Sequence, residues 1–586
     1  MSRARMALGL FLAFLLAAPL VLPEFHVTLL NYIGLYSIVA LGLVLLTGIG
    51  GLTSFGQAAF VGMGAYTSAY LCTAYGLSPW LTLAIGLALT FAVSLFLGFI
   101  TLRLSGHYLP LGTIAWGISL FYLFGNMEFL GGYTGISSLP EINLLGRTLD
   151  TGREFNYLIW GLVLLALWSM RNLLDSRSGR AIRALKGGGL MAESFGVNTA
   201  RMKIIIFVYA ALLASLSGWL YAHLLRFVNP TPFSINAGIE YLFMAVVGGA
   251  ASVWGAVVGA GILTVLKQWL QDLLPKLLGQ SGNFEMIVFG VLLVLLLQRA
   301  REGIMPLAVR YFPAPRKQLP VASRQLQRRS QPVAGEPLLT LNGVRKVFGG
   351  LVAVNDLSFS MSSGEILGLI GPNGAGKSTV FNLVTGVLPL TGGEVHFRGT
   401  RLDTLSARAI VPHGVARTFQ QVHLLPTMSV LENVAIGAHL RGKKGVISAA
   451  LRLERAEEAM LIADAARQLE RVGLAASMHE PAGSLALGQQ RVLEIARALC
   501  ADPVLLLLDE PAAGLRYQEK RALAELLRKL KSEGMSVLLV EHDMDFVMNL
   551  VDRLVVMDFG EKLAEGLPRA IQSDPRVLEA YLGGVI

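Results

Sequence analysis

The stretch Ile366-Leu367-Gly368-Leu369-Ile370-Gly371-Pro372-Asn373-Gly374-Ala375-Gly376-Lys377-Ser378-Thr379 decides how the C-terminal half is read. Its first five residues make a short apolar strand. The rest fits G-x-x-x-x-G-K-S/T in the strand-to-helix setting that a phosphate-binding loop requires. The glycines let backbone N–H groups face phosphate oxygens, and the helix N-terminus adds positive potential. Lys377 is placed to reach the outer phosphates, and the Ser378 hydroxyl to ligate Mg²⁺. A second strand, Val504 to Leu508, ends in Asp509-Glu510. The aspartate can hold Mg²⁺ through water, and the glutamate is placed to polarise an attacking water, so hydrolysis is predicted rather than binding alone.

Outward from this motif, the composition changes sharply near residue 300, which calls for at least two domains. Of 586 residues, 54% are hydrophobic and 15% charged, with a mean hydropathy of +0.58. The apolar excess lies almost wholly before Arg299, so that part belongs in lipid. The net charge of +10 does not point to nucleic acid. Many of the cations flank apolar segments or fall at Arg310, Arg316, Lys317, Arg324, Arg328 and Arg329, the bias of cytoplasmic loops. Cys72 and Cys500 are too few for a disulfide framework or a metal cluster.

Apolar stretches run from Met6 to Leu22, Leu29 to Thr47, Ala58 to Tyr75, Trp80 to Leu102, Tyr108 to Gly125 and Tyr157 to Met170. Each is near or a little below the ~20 residues that a crossing helix needs, and the last is expected to extend into its neighbours. With Arg3 and Arg5 inside, alternation puts Arg103 and Arg171 inside. The polar segment Asn126 to Asn156 then falls outside. The run ending Ala17-Ala18-Pro19 also fits a cleaved signal, but the next span comes almost at once, which favours a retained helix. The loop from Arg171 to Lys203 carries Arg177, Arg180, Arg183, Lys186 and Arg201 and is predicted to be cytoplasmic.

After it come Ile204 to Arg226, a glycine-rich stretch from Ala237 to Leu270, and Phe284 to Leu297. Three simple spans would leave the ATP-hydrolysing half on the outer side. Parity is restored if the glycine-rich stretch enters and returns, breaking near Gly248-Gly249 into arms around Ile239 to Val247 and Val253 to Leu270. The alternative is one long tilted helix with glycines for close packing, as in Gly255-x-x-x-Gly259. Gln57, His107, His223 and Glu240 are polar residues within or beside the spans, and none acquires a transport role from the sequence.

The remaining motifs are Phe348-Gly349-Gly350-Leu351, Arg417-Thr418-Phe419-Gln420-Gln421, Leu485-Ala486-Leu487-Gly488-Gln489-Gln490-Arg491, Glu510-Pro511-Ala512-Ala513-Gly514-Leu515, Glu541-His542-Asp543 and Glu579-Ala580-Tyr581-Leu582-Gly583. Their order and spacing from about Leu338 onward resemble ATP-binding cassette ATPases, in the branched-chain amino-acid importer branch. The first part independently resembles the permease of the same family. That likeness is carried by Gly51-Leu52-Thr53-Ser54-Phe55-Gly56-Gln57, Gly132-Tyr133-Thr134-Gly135-Ile136 and Ser178-Gly179-Arg180-Ala181-Ile182-Arg183-Ala184.

The expected fold is therefore a polytopic all-α permease of about 8–10 helices at 1–298 and a basic, proline-rich cytoplasmic linker at 299–337, then an α/β cassette ATPase at 338–586. The linker prolines, 306, 313, 315, 320, 332 and 337, suit an extended tether. By resemblance, ATP and Mg²⁺ are the cofactors. Phe348 stacks on adenine, Gly371 to Thr379 cradle the phosphates, Gln420 senses the metal together with Ser378 and Asp509, Glu510 is the catalytic base, and His542 contacts the γ-phosphate. Gly488 and Gln489 belong to the signature segment that serves the nucleotide of a partner. A permease loop around Gly187 to Val197, matching best at Ala192 to Gly196, docks on the ATPase. Lys186-Gly187-Gly188-Gly189 is glycine-richer than the usual pattern, which leaves the rigidity of that coupling open.

Two departures stand out. The signature serine is replaced by Ala486, and the usual Asp or Asn after Leu515 is replaced by Arg516. Both lie in the half that serves the partner's nucleotide, so a heterodimer with a second permease–ATPase half is favoured over a homodimer. The alternative is that Ala486 is tolerated, since one neutral hydrogen bond is worth ~1 kcal/mol. The resemblance implies an inner-membrane, multi-pass importer of branched-chain or similar small apolar amino acids, supplied by an extracytoplasmic binding protein and with the ATPase in the cytoplasm. Urea or short amides are alternative solutes. An exporter, or an ATP-gated channel or regulatory membrane ATPase that does not pump, is a rival.

Overall fold

The computed structural model describes residues 3–102, 108–144, 146–278, 285–299, 302–305, 307, 322 and 324–582. Arg103, His107, Arg310, Arg316, Lys317, Gly583 and four of the linker prolines (306, 313, 315 and 320) lie outside them. The chain forms two compact units. The first comprises Met1–Asp175, Ala200–Lys317 and Ala450–Arg452; the second comprises Ser176–Thr199, Gln318–Ala449 and Leu453–Ile586.

The first unit is helical: α1 (Arg3–Val21), α2 (Glu24–Leu43, continued by a π-helical turn Val44–Ile49), α3 (Gln57–Tyr75), α4 (Pro79–Thr101), α5 (Tyr108–Asn126), α6 (Gly152–Leu174), α9 (Thr199–Leu225), α10 (Ile235–Gly249), α11 (Val253–Leu278) and α12 (Glu285–Arg299). The second unit holds the intervening short helices α7 (Arg177–Ala184) and α8 (Gly189–Glu193). Among the described residues, six helices are long and apolar enough to cross a membrane: α2 with its π-turn, α4, α5, α6, α9 and α11. The span expected at Tyr157 to Met170 does extend at both ends, starting from Thr151, whose hydroxyl caps the backbone of Glu154.

Of the other segments expected as spans, the apolar part of α1 (Arg5–Val21) and all of α12 are shorter, and α3, though 19 residues long, is not apolar enough to stand among the six. The reason for α3 lies in its packing. Its Gly, Ala, Ser and Thr side chains are mostly buried among other helices, so they need not be greasy. By contrast, α4 exposes Leu81, Leu89, Phe91, Leu95, Phe96, Phe99 and Ile100, an apolar surface suited to lipid. Helix α2 sits at the centre, packed against α6, α10 and α11.

The glycine-rich stretch is two helices and not one. It breaks after Gly249, and α10 and α11 fold back on each other so closely that a Cβ on Gly248 would lie 1.8 Å from the Gly255 carbonyl oxygen. Only glycines permit that approach. His223 is satisfied by packing: Nε2 lies 2.8 Å from Ser68 Oγ and Nδ1 3.0 Å from the Pro140 carbonyl. The Gln57 amide is buried with no hydrogen-bond partner among the described residues.

The second unit is built on a six-stranded sheet in the order Val415–Arg417, Leu505–Asp509, Ser536–Val540, Ile366–Ile370, Arg553–Asp558, Glu561–Gly566; the first five strands are parallel and the last is antiparallel. The strands Leu505–Asp509, Ser536–Val540 and Ile366–Ile370 are buried throughout, as their unbroken apolar runs require in a sheet covered on both faces. A four-stranded antiparallel sheet (Leu351–Ser362, Pro337–Phe348, Gly392–Phe397, Thr400–Arg401) packs into the same core. The helices Val430–Gly437, Arg455–Arg471 and Leu487–Cys500 enclose a separate core around Val434, Leu461, Leu469 and Leu493.

Candidate active site

Parallel pairing sets Asp509 beside Val540 and Val540 beside Leu369. The segments that leave the C-terminal ends of these three strands therefore emerge together: the phosphate loop, Glu510 and Glu541-His542. Open α/β sheets bind ligands at such an edge.

In the loop, Gly371, Gly374 and Gly376 all have positive φ, and a Cβ on Gly376 would lie 2.4 Å from the Ala353 carbonyl oxygen. Pro372, Asn373 and Ala375 complete the turn. Lys377, Ser378 and Thr379 open the helix Lys377–Val384. Lys377 is buried, its ammonium donating to the carbonyls of Gly371 (2.7 Å) and Pro372 (2.9 Å). Burial pulls its pKa below the usual lysine range, and the carboxylates of Glu510 and Asp509 oppose that pull. A lysine so desolvated is poised to meet an anion.

Asp509 is buried, and its Oδ1 has no hydrogen-bond partner among the described residues. Burial pushes its carboxyl pKa up, against the pull of Arg417, whose Nη2 lies 3.7 Å from Oδ2. With the exposed Ser378 at the helix N-terminus, this orphaned oxygen makes a donor set that fits a hard, oxygen-seeking cation such as Mg²⁺.

Glu510 is the hub. His542 Nε2 lies 2.9 Å from Oε1, and Gln420 Nε2 donates to Oε2 at 3.1 Å. Its φ of +50° is a strained backbone state, held by a hydrogen bond from its N–H to the Val540 carbonyl at 2.9 Å. Phe348 stands apart on the antiparallel sheet, 42% exposed, with Lys346 Nζ 5.0 Å from its ring centre.

Two further residues of the linear motifs, given no role by the sequence, support the site. Arg417 is buried, donates to Asn382 Oδ1 and Thr385 Oγ1, and lies over the Phe419 ring. Burial brings its pKa down to about 10. Glu541 is buried and accepts from the N–H groups of Ala512 (2.5 Å) and His542 (3.1 Å), which pins the turn carrying His542 to the loop after Glu510.

Gly488 and Gln489 lie elsewhere, at the start of the helix Leu487–Cys500. Gln489 Oε1 accepts from the Ala486 N–H at 3.3 Å, and Gly488 lies against the Glu519 carboxylate. Glu519 also accepts from the Arg516 N–H at 2.8 Å. Of the two sequence departures, Arg516 is tied to this carboxylate, while Ala486 is tied through its N–H to Gln489.

The basic segment Ser176–Thr199 belongs to the same unit as this site. Arg180 is buried and makes a forked ion pair with Glu458; Arg183 Nη1 lies 3.3 Å from Glu432 Oε1. Arg177 donates to the carbonyls of His439 and Lys444, both at 2.6 Å. Phe195 is buried with the Arg497 guanidinium 5.0 Å from its ring centre. The docked segment therefore starts at Arg177, ten residues before the stretch the sequence suggested. Its extra glycines have a reason at Gly187, where a Cβ would strike Leu425 at 2.2 Å.

His439 sits under this segment. Burial, and then the charges of Arg177 and Arg180, bring its pKa from 6.5 down to about 3. A depressed histidine stabilises the folded state above the unfolded pKa of 6.5, and that contribution is lost as pH falls below it. Between pH 7.5 and 5.5 the wild type is expected to lose about 1 kcal/mol from this source. That corresponds to about 2–4 °C in melting midpoint. His439→Gln, which does not titrate, should lack this extra loss; equal pH dependence in the two proteins would reject it.

Residues 25–297 match the family described as branched-chain amino acid transport system / permease component. Residues 354–513 match ABC transporter, and 561–585 match branched-chain amino acid ATP-binding cassette transporter. The high-affinity branched-chain amino acid transport ATP-binding protein LivG of Escherichia coli (strain K12) is 44% identical over 251 residues, 42% of this chain and 98% of its own length. BraF of Pseudomonas aeruginosa, of the same description, is 42% identical over 250 residues, 42% of this chain and 98% of its own. A crystallised ATP-binding cassette of an ABC transporter in its ADP conformation is 33% identical, covering 42% of this chain and 99% of that one, with a TM-score of 0.39.

Proposed function

Since the chain belongs to the branched-chain amino-acid ATP-binding cassette transporter family, and joins a permease part to an ATPase part that binds and hydrolyses ATP for transport, we propose that it is one half of an importer for branched-chain or similar small apolar amino acids. The observation that carries this reading is the seating of Ser176–Thr199, a segment interrupting the permease, on the ATPase unit through Arg180 and Glu458.

Bound ATP with Mg²⁺ supplies a phosphoanhydride whose terminal bond water can cut. Phe348 stacks on the adenine, and Gly371 to Thr379 hold the phosphates. Lys377 turns from its carbonyl partners to the outer phosphates. Ser378, Asp509 and Gln420 would hold Mg²⁺, Glu510 takes the proton of the attacking water, and His542 orients Glu510 and faces the terminal phosphate. Gly488 and Gln489 serve the nucleotide of a second half. The ATPase lies on the cytoplasmic side of the inner membrane, and an extracytoplasmic binding protein delivers the solute. ATP favours the closed pair of cassettes, and the docked segments convert that closure into a change of access.

Ala486 and Arg516 favour a partner with an intact signature over a second copy of this chain. The test is ATP hydrolysis by the full chain in lipid nanodiscs, alone and with candidate partner subunits, together with solute accumulation against a gradient. Silence alone with recovery on adding a partner is expected, with leucine accumulating and urea not. Glu510-dependent turnover by the chain alone would retire the heterodimer, and flux without accumulation would mean a channel. A double-mutant cycle of Ala486→Ser and Arg516→Asn measures the coupling between the two departures.

A further inference from the structure

Among the helices of the first unit lies a cavity of about 330 Å³. That is near the lower end of the ~300–1,000 Å³ usual for small-molecule sites. Its walls come from α2, α3, α9, α10, α11 and the turn Thr231–Phe233. Two of its lining residues carry opposite charges. Lys267 Nζ on α11 donates to Glu240 Oε1 and Oε2 on α10, at 2.8 and 2.9 Å. Both side chains stay partly open, 34% for Lys267 and 21% for Glu240.

An ion pair packed among the apolar helices of this unit is costly to desolvate, and charged groups within such helices mark ligand paths. Tyr36, Tyr221 and Tyr241 line the same cavity, and their hydroxyls have no protein hydrogen-bond partner among the described residues. The α10 N-terminus also opens here, with Ser234 and Asn236 in the wall. The rest of the lining includes Leu35, Val61 and Phe233, all buried. One region thus offers an anion, a cation, free donors and an apolar surface.

We propose that this cavity binds the zwitterionic head of a small apolar α-amino acid, with Glu240 taking its ammonium, Lys267 its carboxylate, and Leu35, Val61 and Phe233 its side chain. The site rests on the amino-acid import proposed above and adds the residues that select the zwitterion. The pair is neutral as a whole, so it can stand without a ligand. A zwitterion inserted between the two charges replaces one ion pair by two. The N–H groups of the first turn of α10 add to the carboxylate side. A molecule with one charge leaves the other partner buried and unmatched, and so is disfavoured.

The test is equilibrium binding to the full chain in lipid nanodiscs, with the transporter subunits that co-purify. The probes are leucine, 4-methylpentanoate (no ammonium) and isopentylamine (no carboxylate). Leucine should bind at least about tenfold tighter than either analogue, as charge-assisted hydrogen bonds imply. Glu240→Gln should weaken leucine by about tenfold or more while sparing 4-methylpentanoate, and Lys267→Met should do the same while sparing isopentylamine. A merely structural pair would lower the melting temperature and leave these ratios unchanged, which overturns the proposal. If a neutral variant does not fold, Glu240→Lys combined with Lys267→Glu keeps the ion pair; wild-type leucine affinity there also overturns it. Unchanged leucine affinity with intact leucine uptake would remove this site and leave amino-acid import standing. Wild-type accumulation of urea but not leucine would remove both.

Discussion

Glu510→Gln is expected to cut ATP turnover by about 10²–10⁴-fold, the usual contribution of a general base. Nucleotide affinity should hold, because the phosphate loop, Lys377 and Asp509 are untouched. The substitution is nearly isosteric. Glutamine can still meet Gln420 and His542, which lie 3.1 and 2.9 Å from the two carboxylate oxygens, but it cannot take a proton from water. Single-turnover hydrolysis and nucleotide binding on the same preparation separate the two effects. A residual rate above about a tenth of wild type would mean that another group is the base. Glu510→Gly adds a contrast. It relieves the strain of a φ of +50°, ~1–3 kcal/mol for a non-glycine residue, so it should hydrolyse no faster than the Gln variant yet be the more stable protein.

Arg180→Ala should have the second largest effect. Arg180 and Glu458 have side-chain exposures of 4% and 14%, so removing the cation leaves a largely buried carboxylate without its counter-ion, still accepting from the Arg177 N–H at 3.1 Å. Breaking such a pair costs ~3–5 kcal/mol. The loss falls on the docked segment, since the catalytic groups do not touch Arg180. Hydrolysis should therefore persist while solute-stimulated hydrolysis and transport fail together. Glu458→Ala should do the same, and a double-mutant cycle should show coupling well above the ~0.3–0.5 kcal/mol expected of independent sites. Additive losses, or transport intact in Arg180→Ala, would mean that this ion pair is not what seats the segment. Arg183, whose side chain is 26% exposed in its pair with Glu432, should matter much less.

What could be read from the sequence is what neighbours along the chain decide. Gly371 to Thr379 form the phosphate loop because glycine backbones, a helix start and a lysine are needed in consecutive places. Asp509 and Glu510 come directly after a strand whose four leucines have no polar side for water. The break after Gly249 was legible through charge parity, since basic loops and a fixed end leave few ways to count crossings. Helices α1, α3 and α12 form where the apolar stretches lie yet are not among the six long and apolar enough to cross; in α3, burial against other helices, which composition does not record, set the demand on each side chain.

Only the tertiary structure decided which distant groups meet. Gln420 and His542 reach Glu510 across 90 and 32 residues, because sheet register lines up the ends of strands from separate parts of the chain. Arg180 finds Glu458 across 278 residues, and Lys267 finds Glu240 through the back-folding of α11 on α10. Before folding, each of these charges has many equivalent partners in water. Backbone preferences and hydrophobic periodicity are local and leave their mark in adjacent residues, whereas an ion pair is chosen by whichever packing arrangement removes both of its members from solvent together.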